Sequence, residues 1–89
     1  MQYVYVLESV KDKQMYVGCT NDLRKRLLLH NSGKVVSTSK RFPLKLIYYE
    51  TFINKHDGFA REKFLKTGWG RNYLKKVLFN YNESKKIGG

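Results

Sequence analysis

The chain has 89 residues, with 18 Lys and Arg against 7 Asp and Glu and a formal net charge of +11. This length gives one domain and leaves no room for a second core. The single cysteine, Cys19, excludes an internal disulfide, and one Cys with two His at unrelated spacings does not make a zinc site.

The excess of positive charge predicts a polyanionic partner, and nucleic acid is the commonest one for a small basic domain. The alternative is a basic surface that only keeps the protein in solution. No apolar run approaches the roughly 20 residues of a membrane span, and the start of the chain lacks the pattern of a signal peptide. Together with the lone cysteine, this composition predicts a cytoplasmic protein without a membrane partner.

The first two predicted elements are strands that form a hairpin. Residues 1–7 carry apolar side chains at both odd and even positions, which is typical of a strand covered on both faces. Residues 11–14 form a polar turn, and residues 15–18 form a short second strand that pairs antiparallel with the first.

A helix follows the hairpin. Thr20 or Asn21 can cap its N-terminus, with Asp22 in the positive first turn. Leu23, Leu27 and His30 then follow at i, i+4 and i+7, so the spacing predicts a helix that ends near His30.

The second half of the chain predicts one more strand and two more helices. Residues 31–41 form a polar, basic loop, and residues 44–52 form a third strand rich in apolar and aromatic side chains. Asn54 and Asp57 suggest a capped helix to about Thr67, and an apolar stripe predicts another helix over 73–81. We therefore expect an α+β fold of order β-β-α-β-α-α, with a three-stranded antiparallel sheet flanked by about three helices. The domain would span residues 1–81, and residues 82–89 would form a flexible tail.

The spacing of several reactive side chains points to phosphodiester chemistry. Tyr16-Val17-Gly18 is preceded by Tyr3-Val4-Tyr5 and followed by three polar side chains that suit catalysis: Arg26, His30 and Glu62. Two tyrosines, an arginine, a histidine and a carboxylate are the parts that a phosphodiester cutter with one metal ion would need.

With these residues, the chain resembles a GIY-YIG endonuclease domain over about residues 1–71. Tyr3-Val4-Tyr5 and Tyr16-Val17-Gly18 stand in the places of the two triplets that give the family its name. The first triplet departs from the pattern, because Tyr3 replaces glycine and adds bulk to one wall of the site. The chain is similar to the small stand-alone bacterial members and lacks the added DNA-binding domains of the repair-excinuclease subunit and the homing endonucleases.

The resemblance implies that Glu62 is the only protein ligand of a Mg²⁺ or Mn²⁺ ion, and a single carboxylate suits Mg²⁺, which keeps several waters. The alternative is that Glu62 is a solvent-exposed carboxylate of the helix that forms an ion pair with Lys66, four residues later. The resemblance also places the hydroxyls of Tyr5 and Tyr16 beside the attacking water, with Tyr16 as the proposed general base. A phenol of pKa about 10 is a poor base at neutral pH, so a water-orienting role for Tyr16 stays open.

Arg26 and His30 are four residues apart and share one helix face with the apolar positions, so both should point toward the sheet. A guanidinium matches the oxygens of a phosphate, and we assign Arg26 to the scissile phosphate. His30 has two interpretations. It is either a proton shuttle or leaving-group donor, or a buried histidine that bonds to Asn31 or to the loop.

Further basic and hydroxyl side chains suit contacts to a phosphate backbone. We expect these to be Arg24, Lys25, Lys34, Ser37, Thr38, Ser39, Lys40 and Arg41. Trp69, between two glycines, could stack on a base, but we expect it to fill a gap between helices in the core.

The sequence thus predicts a metal-dependent endonuclease that hydrolyses DNA phosphodiester bonds and selects its substrate by DNA structure, as in repair or recombination. The substrate could be single-stranded, branched or duplex DNA, RNA stays open as a substrate, and a partner protein could supply specificity. The first alternative is a nucleic-acid-binding module of the same fold without catalysis. The second is a small basic structural or ribosome-associated protein.

Overall fold

The computed structural model describes residues 1–88, with side chains through Lys86. The protein has an α+β fold built around one three-stranded antiparallel sheet with strand order β2-β1-β3. The elements in chain order are β1 Gln2–Ser9, β2 Met15–Thr20, α1 Leu23–Asn31, β3 Leu44–Phe52, α2 Lys55–Leu65, α3 Gly68–Val77 and α4 Phe79–Gly88. The predicted fold class is confirmed, with four helices in place of about three.

The central strand β1 is covered on both faces, as its sequence predicts. On one face Tyr5 and Leu7 are buried against α1, together with half-buried leucines of that helix. On the other face Val4 and Val6 are buried against α2 and α3, where Leu65 is also fully buried. The sheet is therefore the middle layer, and its two faces look toward different helices.

The helix caps differ in part from the expectation. Helix α1 begins after Asp22, whose carboxylate accepts a hydrogen bond from the Lys25 amide at 3.1 Å. Thr20 is therefore not the cap, and its hydroxyl instead accepts from the Asp22 amide at 3.1 Å. Helix α2 is capped by Asn54, as the sequence predicts.

The third predicted helix is two helices, α3 and α4, separated at the buried Leu78. Residues 82–88, which we expected to form a flexible tail, continue helix α4. Two side chains of α4 hold it against the sheet, because the Tyr81 hydroxyl donates to Glu8 at 2.7 Å and the Lys85 ammonium donates to the same carboxylate at 2.5 Å. Gly89, the last residue of the expected tail, lies outside the described residues.

None of the helices within residues 1–88 combines the length and the apolar character that crossing a bilayer requires.

Candidate active site

The site begins at a close contact across the β1–β2 hairpin. Tyr5 and Gly18 are partners in the antiparallel ladder, and both side-chain positions face α1. A Cβ atom added to Gly18 would collide with the hydroxyl and the ring of Tyr5. Glycine ends the Tyr16-Val17-Gly18 triplet because only the absence of a side chain leaves room for the phenol of Tyr5.

The phenol of Tyr5 continues into a buried chain of hydrogen bonds. Its oxygen lies 2.9 Å from Nε2 of His30, and Nδ1 of His30 lies 2.7 Å from the Thr38 hydroxyl. All three residues are almost fully excluded from solvent, at 1%, 0% and 0% exposure. A neutral imidazole has one donor and one acceptor nitrogen, so the phenol and the threonine hydroxyl satisfy it completely.

The surroundings of His30 have the features expected of a buried histidine that bonds to the loop. The imidazole is fully buried, and its loop partner is Thr38. Asn31 bonds elsewhere, since its side-chain amide exchanges two hydrogen bonds with the backbone of Leu44. The contact of His30 nearest to the other candidate residues is its hydrogen bond with Tyr5.

The same environment keeps Tyr5 and His30 uncharged near neutral pH. Burial, followed by the neighbouring Tyr16, raises the pKa of Tyr5 well above its usual range. Burial, followed by the positive charge of Arg26, lowers the pKa of His30. Tyr5 is therefore a neutral hydroxyl, suited to hydrogen bonding and not to proton abstraction.

Two charged residues act electrostatically on the Tyr5 hydroxyl from different helices. Glu62 on α2 raises the pKa of Tyr5 and Arg26 on α1 lowers it, in each case by a smaller amount than burial does. The arginine and the carboxylate singled out in the sequence therefore both influence the pKa of Tyr5, from helices that pack on opposite faces of the sheet.

Tyr16 is half-buried and packs beside the rings of Tyr5 and His30. Its ring centroid lies 5.1 Å from that of His30 and 6.4 Å from that of Tyr5. Unlike Tyr5, Tyr16 keeps part of its surface accessible. Of the two tyrosines, Tyr16 is the one that a bound substrate or water can reach.

Arg26 lines a small open cleft at the start of α1. The cleft has a volume of about 230 Å³ and also contains Lys25, so two cations line it. Its one carboxylate belongs to Asp22, which is engaged in capping the helix. A cleft of this size with free cations suits one phosphate group with its flanking atoms.

Glu62 is a half-buried carboxylate whose hydrogen-bond partner is the Lys66 ammonium one turn later, at 3.0 Å. One turn before it, Gly58 packs against the side chains of Gln2 and Cys19, which fixes this face of α2 against the hairpin. The ion pair with Lys66 is the one that the alternative expectation for Glu62 describes, and a role as metal ligand stays a prediction.

Two other carboxylates, Glu50 and Glu8, have strong structural partners. Glu50 accepts two hydrogen bonds from Arg61 and one from Tyr48, and Glu8 is held by two groups of α4. Within residues 1–86 no group of three or more His, Cys, Asp and Glu side chains lies together. The donor set at the site is thus one carboxylate, which fits an ion such as Mg²⁺ that takes its remaining ligands from water and phosphate.

The loop after α1 corrects one predicted contact residue. Thr38 lies in a single 3-10 turn, Val36–Thr38, with its hydroxyl fully buried against His30, so it is not available to a phosphate backbone. Its neighbours are open to different degrees. Lys34, Ser37 and Lys40 are exposed, as are Arg24 and Lys25 on α1.

Two further residues of the predicted contact set are partly engaged within the protein. Ser39 donates its hydroxyl to the Val36 carbonyl at 3.1 Å, and Arg41 pairs with Asp12 at 3.2 Å. These two are weaker candidates for substrate contacts than the fully exposed cations.

The expectation that Trp69 fills the core is wrong, because its side chain is 80% exposed. The signal for this lies in Gly70, where an added Cβ would collide with the Phe64 carbonyl and the backbone of Leu65. Gly70 is the position of α3 that packs against α2, and the adjacent Trp69 consequently points away from the core.

Comparisons with known proteins found one matching family model and several similar proteins. The family model of the GIY-YIG catalytic domain matches residues 1–76. A UPF0213 protein of Streptococcus pyogenes serotype M3 is 40% identical over 85 residues, covering 94% of this chain and 91% of the relative. A UPF0213 protein of Clostridium perfringens strain 13 is 45% identical over 67 residues, covering 74% and 71%. No solved structure matches the chain.

Proposed function

The chain belongs to the GIY-YIG family, and from this premise we propose that it is a metal-dependent endonuclease that hydrolyses DNA phosphodiester bonds. We also propose that it selects its substrate by DNA structure, as repair and recombination enzymes do, and that it acts in the cytoplasm. The net charge of +11 supports a polyanionic substrate.

One observation carries the proposal. Arg26 and Glu62 shift the pKa of the same phenol, Tyr5, in opposite directions, and Arg26 lines an open cleft together with Lys25. An arginine, a carboxylate and two tyrosine hydroxyls are elements that phosphodiester hydrolysis requires. A module that only binds a phosphate backbone would need the cations but not a carboxylate among them.

Hydrolysis forms a bond between phosphorus and a water oxygen and breaks the bond to the leaving oxygen. The attacking water loses one proton to solvent, and a solvent water returns one proton to the leaving oxygen, so the step balances. In our proposal Arg26 binds the scissile phosphate and stabilises the negative charge that develops on its oxygens. Tyr16, the accessible tyrosine, orients the attacking water by hydrogen bonding. Tyr5 is held in place by His30 and Thr38 and packs behind Tyr16, with 6.4 Å between the ring centroids, so its role is to position Tyr16.

Glu62 is the residue that would hold Mg²⁺ or Mn²⁺, after release of its exposed partner Lys66. When bound, the ion would neutralise phosphate charge and support departure of the leaving oxygen. The cost of freeing Glu62 is small, because an ion pair between partly exposed groups on one helix contributes only about 0.3–0.5 kcal/mol.

Substrate affinity would come from exposed cations around this centre: Arg24, Lys25, Lys34 and Lys40. Ser37 adds a hydroxyl at the same surface. Such contacts position a backbone without reading its sequence, so substrate choice would depend on DNA shape or on a partner protein. RNA carries the same phosphates and belongs in the test as a competing substrate.

Cleavage of labelled single-stranded, duplex, flap and branched DNA, and of single-stranded RNA, tests the proposal. Each substrate is incubated with Mg²⁺, with Mn²⁺ and with chelator, using wild type, Glu62→Gln and the matched control Glu83→Gln. Glu83 is a carboxylate on α4 that also pairs with a lysine of its own helix.

We expect cutting that requires the metal, is lost in Glu62→Gln and persists in Glu83→Gln. Salt-sensitive binding of every substrate without any cutting would overturn the proposed endonuclease activity. It would favour a nucleic-acid-binding module without catalysis.

A further inference from the structure

Trp69 is the only tryptophan of the chain, and the fold holds it outward at the first turn of α3. Gly70 packs so closely on the end of α2 that no side chain fits there. Successive helix positions are separated by about 100°, so close packing at Gly70 directs Trp69 to the surface. The indole is 80% exposed, which is unusual for so large an apolar group.

The indole borders an open groove that contains positive charge and no acid. The groove has a volume of about 460 Å³ and is lined by Gly68, Trp69, Arg71, Asn72 and Lys75. A Cβ atom added to Gly68 would meet no atom within 4 Å apart from its chain neighbours, so the surface at this glycine is open. The groove therefore offers an aromatic face, two cations and an amide.

We propose that Trp69 stacks on an unpaired base of the nucleic acid that the enzyme cuts, while Arg71 and Lys75 contact the adjoining phosphates. The charge of the groove argues for this occupant, because two cations without a carboxylate complement a polyanion. Stacking on an exposed aromatic ring is sequence-tolerant and needs a base that is not already stacked in a duplex. This inference rests on the proposed function and names its substrate class as DNA with a single-stranded segment.

The stacking site is near the proposed metal ligand. From Glu62 to Trp69 the chain makes one helical turn and three further residues, so the two Cα atoms are at most roughly 17 Å apart. The unpaired base would therefore lie on the single-stranded segment next to the cut.

Tryptophan emission gives a direct test, since all of it comes from Trp69. Wild type is titrated with a short oligothymidylate and with a duplex in the presence of chelator, and binding is followed in parallel by anisotropy of a labelled strand. We expect quenching at saturation by the single strand and little change with the duplex. A 2-aminopurine placed at successive positions of the single strand should be quenched at the position that stacks on Trp69 and less at the others.

Three variants separate stacking from charge. Trp69→Ala should bind the single strand about tenfold more weakly with an unchanged salt dependence, whereas Trp69→Phe should keep most of the affinity. Arg71→Gln should reduce the magnitude of the slope of the log–log plot of single-strand affinity against salt by about 0.7. The matched control is Phe79→Ala, because Phe79 is a 60% exposed aromatic residue on α4 outside the groove, and this variant should bind as wild type does.

Unchanged Trp69 emission on a saturated complex, or wild-type affinity in Trp69→Ala, would overturn the inference. Either result leaves the nuclease proposal intact if the wild type still cuts DNA. Quenching and loss of affinity in Trp69→Ala with no cutting by the wild type would instead support the stacking site and remove the nuclease function.

Discussion

The ring of Tyr5 lies against the bare backbone of Gly18, its cross-strand partner in the β1–β2 ladder. This contact places the phenol within hydrogen-bonding distance of His30, 2.9 Å away. Gly18, the last residue of the second triplet, thus leaves the space that the ring of Tyr5, the last residue of the first triplet, occupies. Two short motifs that are 11 residues apart in sequence are one structural unit.

Gly18→Ala tests this unit. The new Cβ would collide with a buried ring that also bonds to His30, so we expect the free energy of unfolding to fall by about 1–3 kcal/mol. Any remaining folded protein should cleave poorly, because the phenol is displaced. Urea unfolding with Gly68→Ala as control measures this, since a side chain at Gly68 meets no neighbour. Equal stability of Gly18→Ala and wild type would contradict the contact.

Thr38→Val removes the hydroxyl that satisfies Nδ1 of the buried His30. An unpaired buried polar group costs about 1–3 kcal/mol, and we expect a loss of stability in that range. Thr38→Ser keeps the hydroxyl and should lose less. The exposed neighbour variant Ser37→Ala should unfold as wild type does. A phosphate-binding role for Thr38 would give the opposite pattern, with normal stability and weaker DNA binding.

His30 should make stability depend on pH. Its pKa in the folded protein is lowered by burial and then by Arg26, below an ordinary value of 6.5. At a pH between the pKa of His30 in the folded protein and its pKa in the unfolded chain, His30 binds a proton only in the unfolded chain. The free energy of unfolding therefore falls as the pH falls below about 6.5. This contribution is fully present above that pH.

Unfolding measured from about pH 7 to about pH 5 tests the expectation in a range above the titration of most carboxylates. His30→Gln should be less stable at pH 7 and should lose most of this slope. The control His56→Gln, at an exposed position, should keep it. A slope that is the same in wild type and His30→Gln would place the titrating group elsewhere.

Binding to DNA should weaken steeply with salt. With about five phosphate contacts, the log–log plot of duplex affinity against salt should have a slope near −4.5. Replacing the exposed Arg24 or Lys40 by Gln should each reduce the magnitude of the slope by about 0.9. A flat salt response would remove nucleic acid as the partner.

Much of the fold could be predicted because β1 is apolar on both faces and the helices have local caps and spacing. The third strand, Leu44–Phe52, has the predicted bounds. The division of the last helix at Leu78 was missed, because the apolar stripe continues through it to Tyr81. Only the tertiary contacts of Tyr81 and Lys85 with Glu8 explain why the polar end stays helical.

A family motif supplies the candidate site residues, whereas the surroundings of individual side chains depend on the path of the chain. Thr38 lies in a polar, basic segment that is typical of an exposed loop. The neighbouring residues do not indicate that this loop packs against His30. Trp69 was assigned to the core from its type alone. The close packing of Gly70 against α2, which turns the indole outward, is a contact between two helices and is not visible in the sequence.

The proposed active site depends most directly on Arg26, which would stabilise the negative charge that develops on the scissile phosphate. Single-turnover cleavage of the preferred DNA with Mg²⁺ should be compared between wild type, Arg26→Ala and Arg24→Ala, which lies on the same helix but is exposed. We expect Arg26→Ala to lower the rate at saturating enzyme about 100-fold or more, since it removes stabilisation of the developing charge. Arg24→Ala should weaken binding and leave that rate nearly unchanged. Equal rates for Arg26→Ala and wild type would contradict the proposed active site.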